Sequence, residues 1–332
     1  MMKRIKILIV GLMTVVIAGA GLMFSGCSLN RQRDYFLVGI VSGSARLPAF
    51  ELASAGFRKQ LAYRLAGVGQ EGRAVRFVYR TASGDNTLAT AIADGFIAQG
   101  VDLMFSLGTG ASNAALTRAD VSGTPLVWGM ITDPVGEGLI TPISTGAAGV
   151  LPASTKIDLL QELVGGELNA NRRIAYIYTL REDNSVAIRD QLLELAPQGI
   201  VPFVNSSAEC FMPIFISIAA DPTIAAIYVG QVDEIVSVMQ LMQNLNVASP
   251  RPVPITSVTV VDVGAVVSIA VCFYANGQRA ADIAFDVLMG ERDVSDIPFY
   301  RPTIDSLALR INKEEAEAIG FTIPETLLRR MA

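Results

Sequence analysis

The feature that most limits the fold is a succession of short apolar runs without polar alternation, each followed by a stretch of helical spacing. Residues 36–41 read Phe-Leu-Val-Gly-Ile-Val. A run with no polar face suits a strand buried on both sides, as in a parallel sheet. Further strand-like runs fall at 75–80, 103–107 and 125–130, with helical patterns at 52–65, 87–99 and 111–118. This alternation predicts βαβ units. The cycle then restarts. Helices are expected at 154–164, 185–195, 210–218, 234–244, 278–288 and 313–319. Strands are expected at 173–178, 200–205, 225–229, 254–256 and 307–311, with a further apolar run at 264–271. The expectation is an α/β protein of two similar Rossmann-like lobes with parallel sheets and a ligand cleft between them. Gly136-Glu137-Gly138 and Thr145-Gly146-Ala147-Ala148-Gly149 read as turns marking the join.

The first thirty residues stand apart. Lys3, Arg4 and Lys6 precede a run without charge from Ile7 to Phe24, and Ser25-Gly26 stand before Cys27. A basic start, an apolar run and a small-residue cleavage site predict a secretory signal. The alternative is an uncleaved anchor helix, since the run approaches the length of a membrane span. Either reading puts the rest of the chain outside the cytoplasmic membrane. Removing residues 1–26 leaves 23 basic against 31 acidic residues, a net charge of −8. No basic patch remains to neutralise a phosphate backbone, so nucleic acid is not an expected partner. About 300 residues exceed one typical core and favour two domains.

The chain contains no histidine. That excludes Ser-His-Asp and Cys-His nucleophile systems, histidine-ligated zinc and the commonest general base. No Cys-x-x-Cys pair offers a metal or redox site. Cys210 and Cys272 are expected as separate core thiols, with a disulfide in an oxidising compartment as the alternative. The expectation is a binding protein, not an enzyme, with no cofactor and no metal.

In open parallel sheets ligands collect at the carboxyl ends of strands. Ser42-Gly43-Ser44 follows the first strand, and Gly108-Thr109-Gly110-Ala111-Ser112 leads from the third strand into a helix. Free N–H groups and the helix dipole make the second turn a candidate carboxylate cradle, with Thr109 and Ser112 adding hydroxyls. An ordinary tight turn is the alternative, and Asn113 at the sixth position weakens a dinucleotide reading. Thr132-Asp133-Pro134 follows the fourth strand, and Asp before Pro is also a common turn former. In the second half, Asn184 and Ser185 are candidate ligand groups or N-caps. Gln231 and Asp233 follow a strand, and Asp233 can equally cap the next helix. Trp128 reads as core.

Several segments together carry a family likeness. They are Asp102-Leu103-Met104, Thr124-Pro125-Leu126-Val127 leading into Thr132-Asp133-Pro134-Val135, Asp183-Asn184-Ser185-Val186, Ala226-Ile227-Tyr228-Val229, Leu309-Arg310-Ile311-Asn312 and Ile323-Pro324-Glu325-Thr326-Leu327-Leu328. In this order the chain resembles the bacterial ABC-transporter substrate-binding lipoproteins of the tryptophan/tyrosine-uptake type, which adopt the type I periplasmic-binding fold. The resemblance implies that residues 1–27 are a lipoprotein signal ending at a lipidated Cys27. It implies an N-terminal lobe of 34–140 plus about 273–297, and a C-terminal lobe of about 146–271 plus about 298–332. It further implies a monomer that holds a small polar ligand, an amino acid or similar, by hinge closure and passes it to an ABC permease. The alternative is a lipid-anchored sensing domain acting on a membrane signalling partner. The implied ligand residues are Ser42, Ser44, Thr109, Ser112, Thr132, Asp133, Asn184, Ser185, Gln231 and Asp233. Two departures stand out. Members of that family commonly have Thr-Asp-Asn where this chain has Gln231-Val232-Asp233, and Ser-Glu-Glu-Gly where it has Thr256-Ser257-Val258-Thr259. An acidic pair beside the cleft is therefore missing.

Overall fold

The computed structural model describes residues 33–44, 48–68, 74–180, 183–205, 210–230, 239–257 and 264–330. The chain divides into a short leading unit, Met1–Tyr35, and a body, Phe36–Ala332. The leader and Cys27 lie outside the described residues. Among the described residues no helix is long and apolar enough to cross a membrane.

The first half alternates strand and helix as the apolar runs require. β1 is Tyr35–Ser42, α1 Pro48–Gly67, β2 Ala74–Thr81, α2 Asn86–Ala98, β3 Leu103–Leu107, α3 Thr109–Ser122 and β4 Leu126–Ile131. A fifth strand, β5, spans Ser144–Ala148. These strands form one sheet in the order β2-β1-β3-β4-β5, and β1, β3, β4 and β5 pair in parallel. β3 is buried at all five positions, as a run with no polar face demands. Asp85 caps α2 by accepting from the amides of Thr87 and Leu88 at 2.7 and 3.1 Å. Its side chain thereby satisfies two of the helix's orphan donors.

β5 corrects the sequence reading, in which Thr145–Gly149 was a turn. Its small residues serve packing instead. A Cβ at Gly146 would lie 2.0 Å from the Trp128 carbonyl oxygen and 2.5 Å from its indole ring. Trp128 is fully buried, as expected, and its Nε1–H donates to Leu139 O at 3.0 Å. The outer edge of β5 is covered by residues 297–300. Thr145 Oγ1 donates to Ile297 O at 2.9 Å, Tyr300 N to Gly146 O at 2.8 Å and Ala148 N to Tyr300 O at 2.9 Å.

The second half holds α4 Ala153–Leu163, β6 Arg173–Tyr178, α5 Asp183–Leu195, β7 Ile200–Val204, α6 Phe211–Ala220, β8 Ile224–Val229, α7 Met239–Ala248, β9 Ile255–Ser257 and β10 Val267–Val271. α8 Phe273–Leu288 follows, then β11 Leu307–Ile311, α9 Lys313–Ala318 and α10 Glu325–Arg329. The second sheet runs β11-β10-β9-β8-β6-β7, with only β11 antiparallel to its neighbour among the registered pairs. β3, β6 and β11 occupy the limits expected from sequence. α8 begins five residues earlier than its periodicity suggests, and α7 ends four residues later.

Each sheet is covered on both faces. On the first, Phe57 and Leu61 of α1 and Ala280, Ala281 and Ala284 of α8 share a core with Val38, Leu103, Phe105 and Val127. Ala89, Ala93, Ala111 and Ala115 of α2 and α3 lie with Val41 and Met104 on the other. The second sheet is covered by α4, α5, α9 and α10 on one face and by α6 and α7 on the other. α1 and α8 meet through glycines. A Cβ at Gly277 would fall 1.9 Å from Ala53 O, and one at Gly56 2.1 Å from Tyr274 O. Thus α8, which follows a strand of the second sheet, completes the core of the first. No disulfide joins Cys210 and Cys272. Cys272 is exposed, immediately before α8, so the expectation of two core thiols fails there.

Candidate functional site

Three of the strand-end turns singled out from sequence meet at the carboxyl end of the first sheet. Ser42 is in register with Leu107, and Leu107 with Gly129. Gly43 N donates to Leu107 O at 2.9 Å and Gly108 N to Gly129 O at 3.2 Å. Ser42–Ser44, Gly108–Ser112 and residues 131–133 are therefore neighbours.

Ser42 and Ser112 are fully buried, with hydroxyls committed to the protein. Ser42 Oγ donates to Ser44 O at 2.8 Å. Ser112 Oγ donates to Gly108 O at 2.8 Å and lies 2.8 Å from Ser106 Oγ. Ser44, Thr109, Thr132 and Asp133 are half-buried and lie closer to solvent. Gly108 has φ +86°, a conformation that favours glycine. A Cβ there would also meet the Phe50 ring at 2.7 Å. Phe50, in the first turn of α1, thus lies against the Gly108 turn, a placement that sequence spacing did not reveal.

The fourth strand ends irregularly. Met130 has φ +62°, and the β4–β5 register shifts between Gly129 and Ile131. A left-handed non-glycine residue is strained, and a bulge of this kind re-aims the residues beyond it. Those residues are Thr132 and Asp133. Asp133 Oδ1 accepts from Gly136 N at 3.0 Å, so the turn expected of Asp-Pro forms and holds the carboxylate in one direction.

A cavity of about 310 Å³ opens beside this turn. Thr132, Asp133 and Pro134 line it from the first sheet's end. Ser154 of α4 and Gln191 and Glu194 of α5 line it from the second half, and Arg301 reaches it from the connection into β11. Arg301 stacks its guanidinium on Phe299 at 4.3 Å, and Phe299 lies 5.7 Å from the Trp128 ring. Gln191, Glu194 and Arg301 were missed from sequence because none sits at a strand end.

In the second half, Asn184 and Ser185 fall inside the first turn of α5, which begins at Asp183. They are not N-caps, which corrects that alternative. Ser185 Oγ instead accepts from Thr179 N at 3.2 Å, tying the helix start to the end of β6. Asn184 is half-buried beside it. Gln231 and Asp233 lie outside the described residues. Among the described residues no group of three or more Cys, Asp or Glu side chains is placed to hold a metal ion.

Two lobes of mainly parallel sheet, covered by helices and joined by crossing segments, define the type I periplasmic-binding fold. Residues 40–332 match the family described as ABC transporter substrate binding protein, and the chain belongs to that family. Its members are extracytoplasmic and bind, rather than transform, a small molecule. Over 97% of its length the chain is 26% identical to a tyrosine-binding protein of Clostridioides difficile, 94% of which is covered. The fold is shared with an ABC domain from Streptococcus pneumoniae in complex with L-Trp: TM-score 0.69, 22% identity, covering 89% of this chain and 98% of that one. It is shared too with the ligand-free, open structure of a substrate-binding protein with adhesive properties from Clostridium difficile: TM-score 0.70, 20% identity, covering 87% and 96%.

Proposed function

We propose that this protein is the solute-binding component of an amino-acid ABC importer, tethered to the membrane through a lipidated Cys27 and working as a monomer with a membrane permease. The observation that carries the reading is the cavity lined from both lobes beside Thr132 and Asp133. A site shared by two lobes favours capture by hinge closure. Ser44, Thr109 and Asp133 offer hydroxyls and a carboxylate from the first lobe; in the second, Asn184 lies in the first turn of α5, and Gln231 and Asp233 follow β8 in the sequence. The tip of the Phe50 ring lies against Gly108 and adds an apolar group beside this turn, which suits a ligand with an aromatic side chain. The tyrosine-binding relative and the L-Trp-bound neighbour support the same class of ligand.

A thermal-shift screen of the amino acids, nucleobases and small carboxylates tests this. A ligand that binds only the folded state, present at 100 times its dissociation constant, adds about 2.7 kcal/mol of stability. L-tyrosine or L-tryptophan is expected to give the largest shift. A charge-assisted contact contributes about 1.5–3 kcal/mol. Asp133→Ala is therefore expected to weaken binding by roughly one to two decades, and an unchanged Kd would remove Asp133 from the site.

A further inference from the structure

Several buried polar atoms of the second lobe have no hydrogen-bond partner, among them Tyr228 Oη and Thr256 Oγ1, both within strands. Asn205 differs in kind and in place. It directly follows β7, its backbone N–H donates to Tyr178 O at 2.7 Å, and its side chain is fully buried. Neither Oδ1 nor Nδ2 has a partner, and among the described residues no other side chain has two polar atoms orphaned in this way. Tyr178 is in register with Val204, so Asn205 lies beside Thr179 at the ends of adjacent strands. Thr179 N is the group that donates to Ser185 Oγ at the start of α5.

Buried amides are nearly always paired, and an exception calls for an explanation in function. One amide presents an acceptor and two donors. The main-chain end of a free α-amino acid presents the complement, an ammonium that donates and a carboxylate that accepts, two bonds apart. We infer that Asn205 reads both ends of this zwitterion from the second lobe. The inference rests on the amino-acid reading above. It also makes the ligand-free protein carry a destabilising orphan that binding relieves.

The test uses the full chain, Asn205→Leu, which is close in size and apolar, and Asn205→Asp as a second variant. Melting without ligand is measured first. Calorimetric titration follows with L-tryptophan, indole-3-propionate, which lacks the ammonium, and tryptamine, which lacks the carboxylate. For Asn205→Leu we expect a higher Tm without ligand, binding of L-tryptophan weakened about 10- to 100-fold, and lost discrimination against both analogues. For Asn205→Asp we expect a shift of preference towards tryptamine, which still reads out if the leucine variant fails to fold. A lower Tm with unchanged affinity and discrimination would assign the amide to a buried water or to packing and overturn the inference. Equal weakening for all three probes would also overturn it. Wild type that binds neither L-tryptophan nor L-tyrosine overturns the amino-acid reading and this inference together. Wild type that binds while Asn205→Leu keeps affinity and discrimination overturns this inference alone.

Discussion

Lys156 lies on α4 among Ile157, Leu159 and Leu160, with 2% of its surface exposed and no partner for Nζ. Burial disfavours the ammonium and lowers its pKa from 10.5 to about 8. Below pH 8 both folded and unfolded chains carry the proton, so the full cost of the buried charge is present. Between about pH 8 and 10.5 the unfolded state holds the proton and the folded state does not, so stability rises with pH. At 1.36 kcal/mol per unit the shift corresponds to about 3 kcal/mol. Lys156→Met is therefore expected to be more stable than wild type at pH 7, with the difference vanishing towards pH 10.5. Denaturant titrations at both pH values check this, and a difference that does not change with pH refutes it. Periodicity placed a helix at this position but could not show that the lysine lies on its buried side.

At the scale of elements, the contact of α1 with α8 depends on two glycines. Alanine is favoured over glycine inside a helix by about 1 kcal/mol. At Gly277 that gain is opposed by a Cβ 1.9 Å from Ala53 O, a backbone atom that cannot turn aside as a side chain would. Overpacking of this kind costs about 1–3 kcal/mol. Gly277→Ala is expected to lower the Tm, whereas Ala at Gly95, which meets nothing within 4 Å in α2, is expected to raise it. Equal shifts for the two would refute the close approach. β5 shows the same principle from the other side. Its Thr-Gly-Ala-Ala sequence looks like a turn, yet it is a strand paired in parallel with β4, and a Cβ at Gly146 would collide with Trp128.

At the scale of the molecule, the chain passes between the two sheets after β5, at Cys272 and along residues 301–306. Neighbouring passages are tied together. Asn276 Nδ2 donates to Ala148 O at 2.6 Å, Cys272 N to Ser306 O at 3.2 Å, and Tyr300 Oη lies 2.5 Å from Ser306 Oγ. Each lobe has its own packed core, so closure is expected to leave the lobes intact and to concentrate change in these passages. Small-angle scattering with L-tryptophan is expected to show a smaller radius of gyration. Hydrogen exchange is expected to slow at 148–154, 271–276 and 300–306 more than in β3 or β6. Binding with neither effect would refute hinge closure.

Local order was legible in the sequence because it is written in local chemistry. Apolar runs without alternation bury on both faces, so β3, β6 and β11 fall where expected, and the polar turns after β1, β3 and β4 mark the first sheet's carboxyl end. The missing histidines excluded whole classes of catalysis. Tertiary structure decided what depends on residues far apart in the chain. It placed α8 on the first sheet, made Gly146 a seat for Trp128, bulged β4 at Met130, brought Arg301 and Glu194 to one cavity, and left the Asn205 amide buried without a partner. Burial and pairing are properties of the assembled fold, set by contacts between residues from 18 positions apart (Trp128 and Gly146) to 224 apart (Ala53 and Gly277), and no local spacing encodes them.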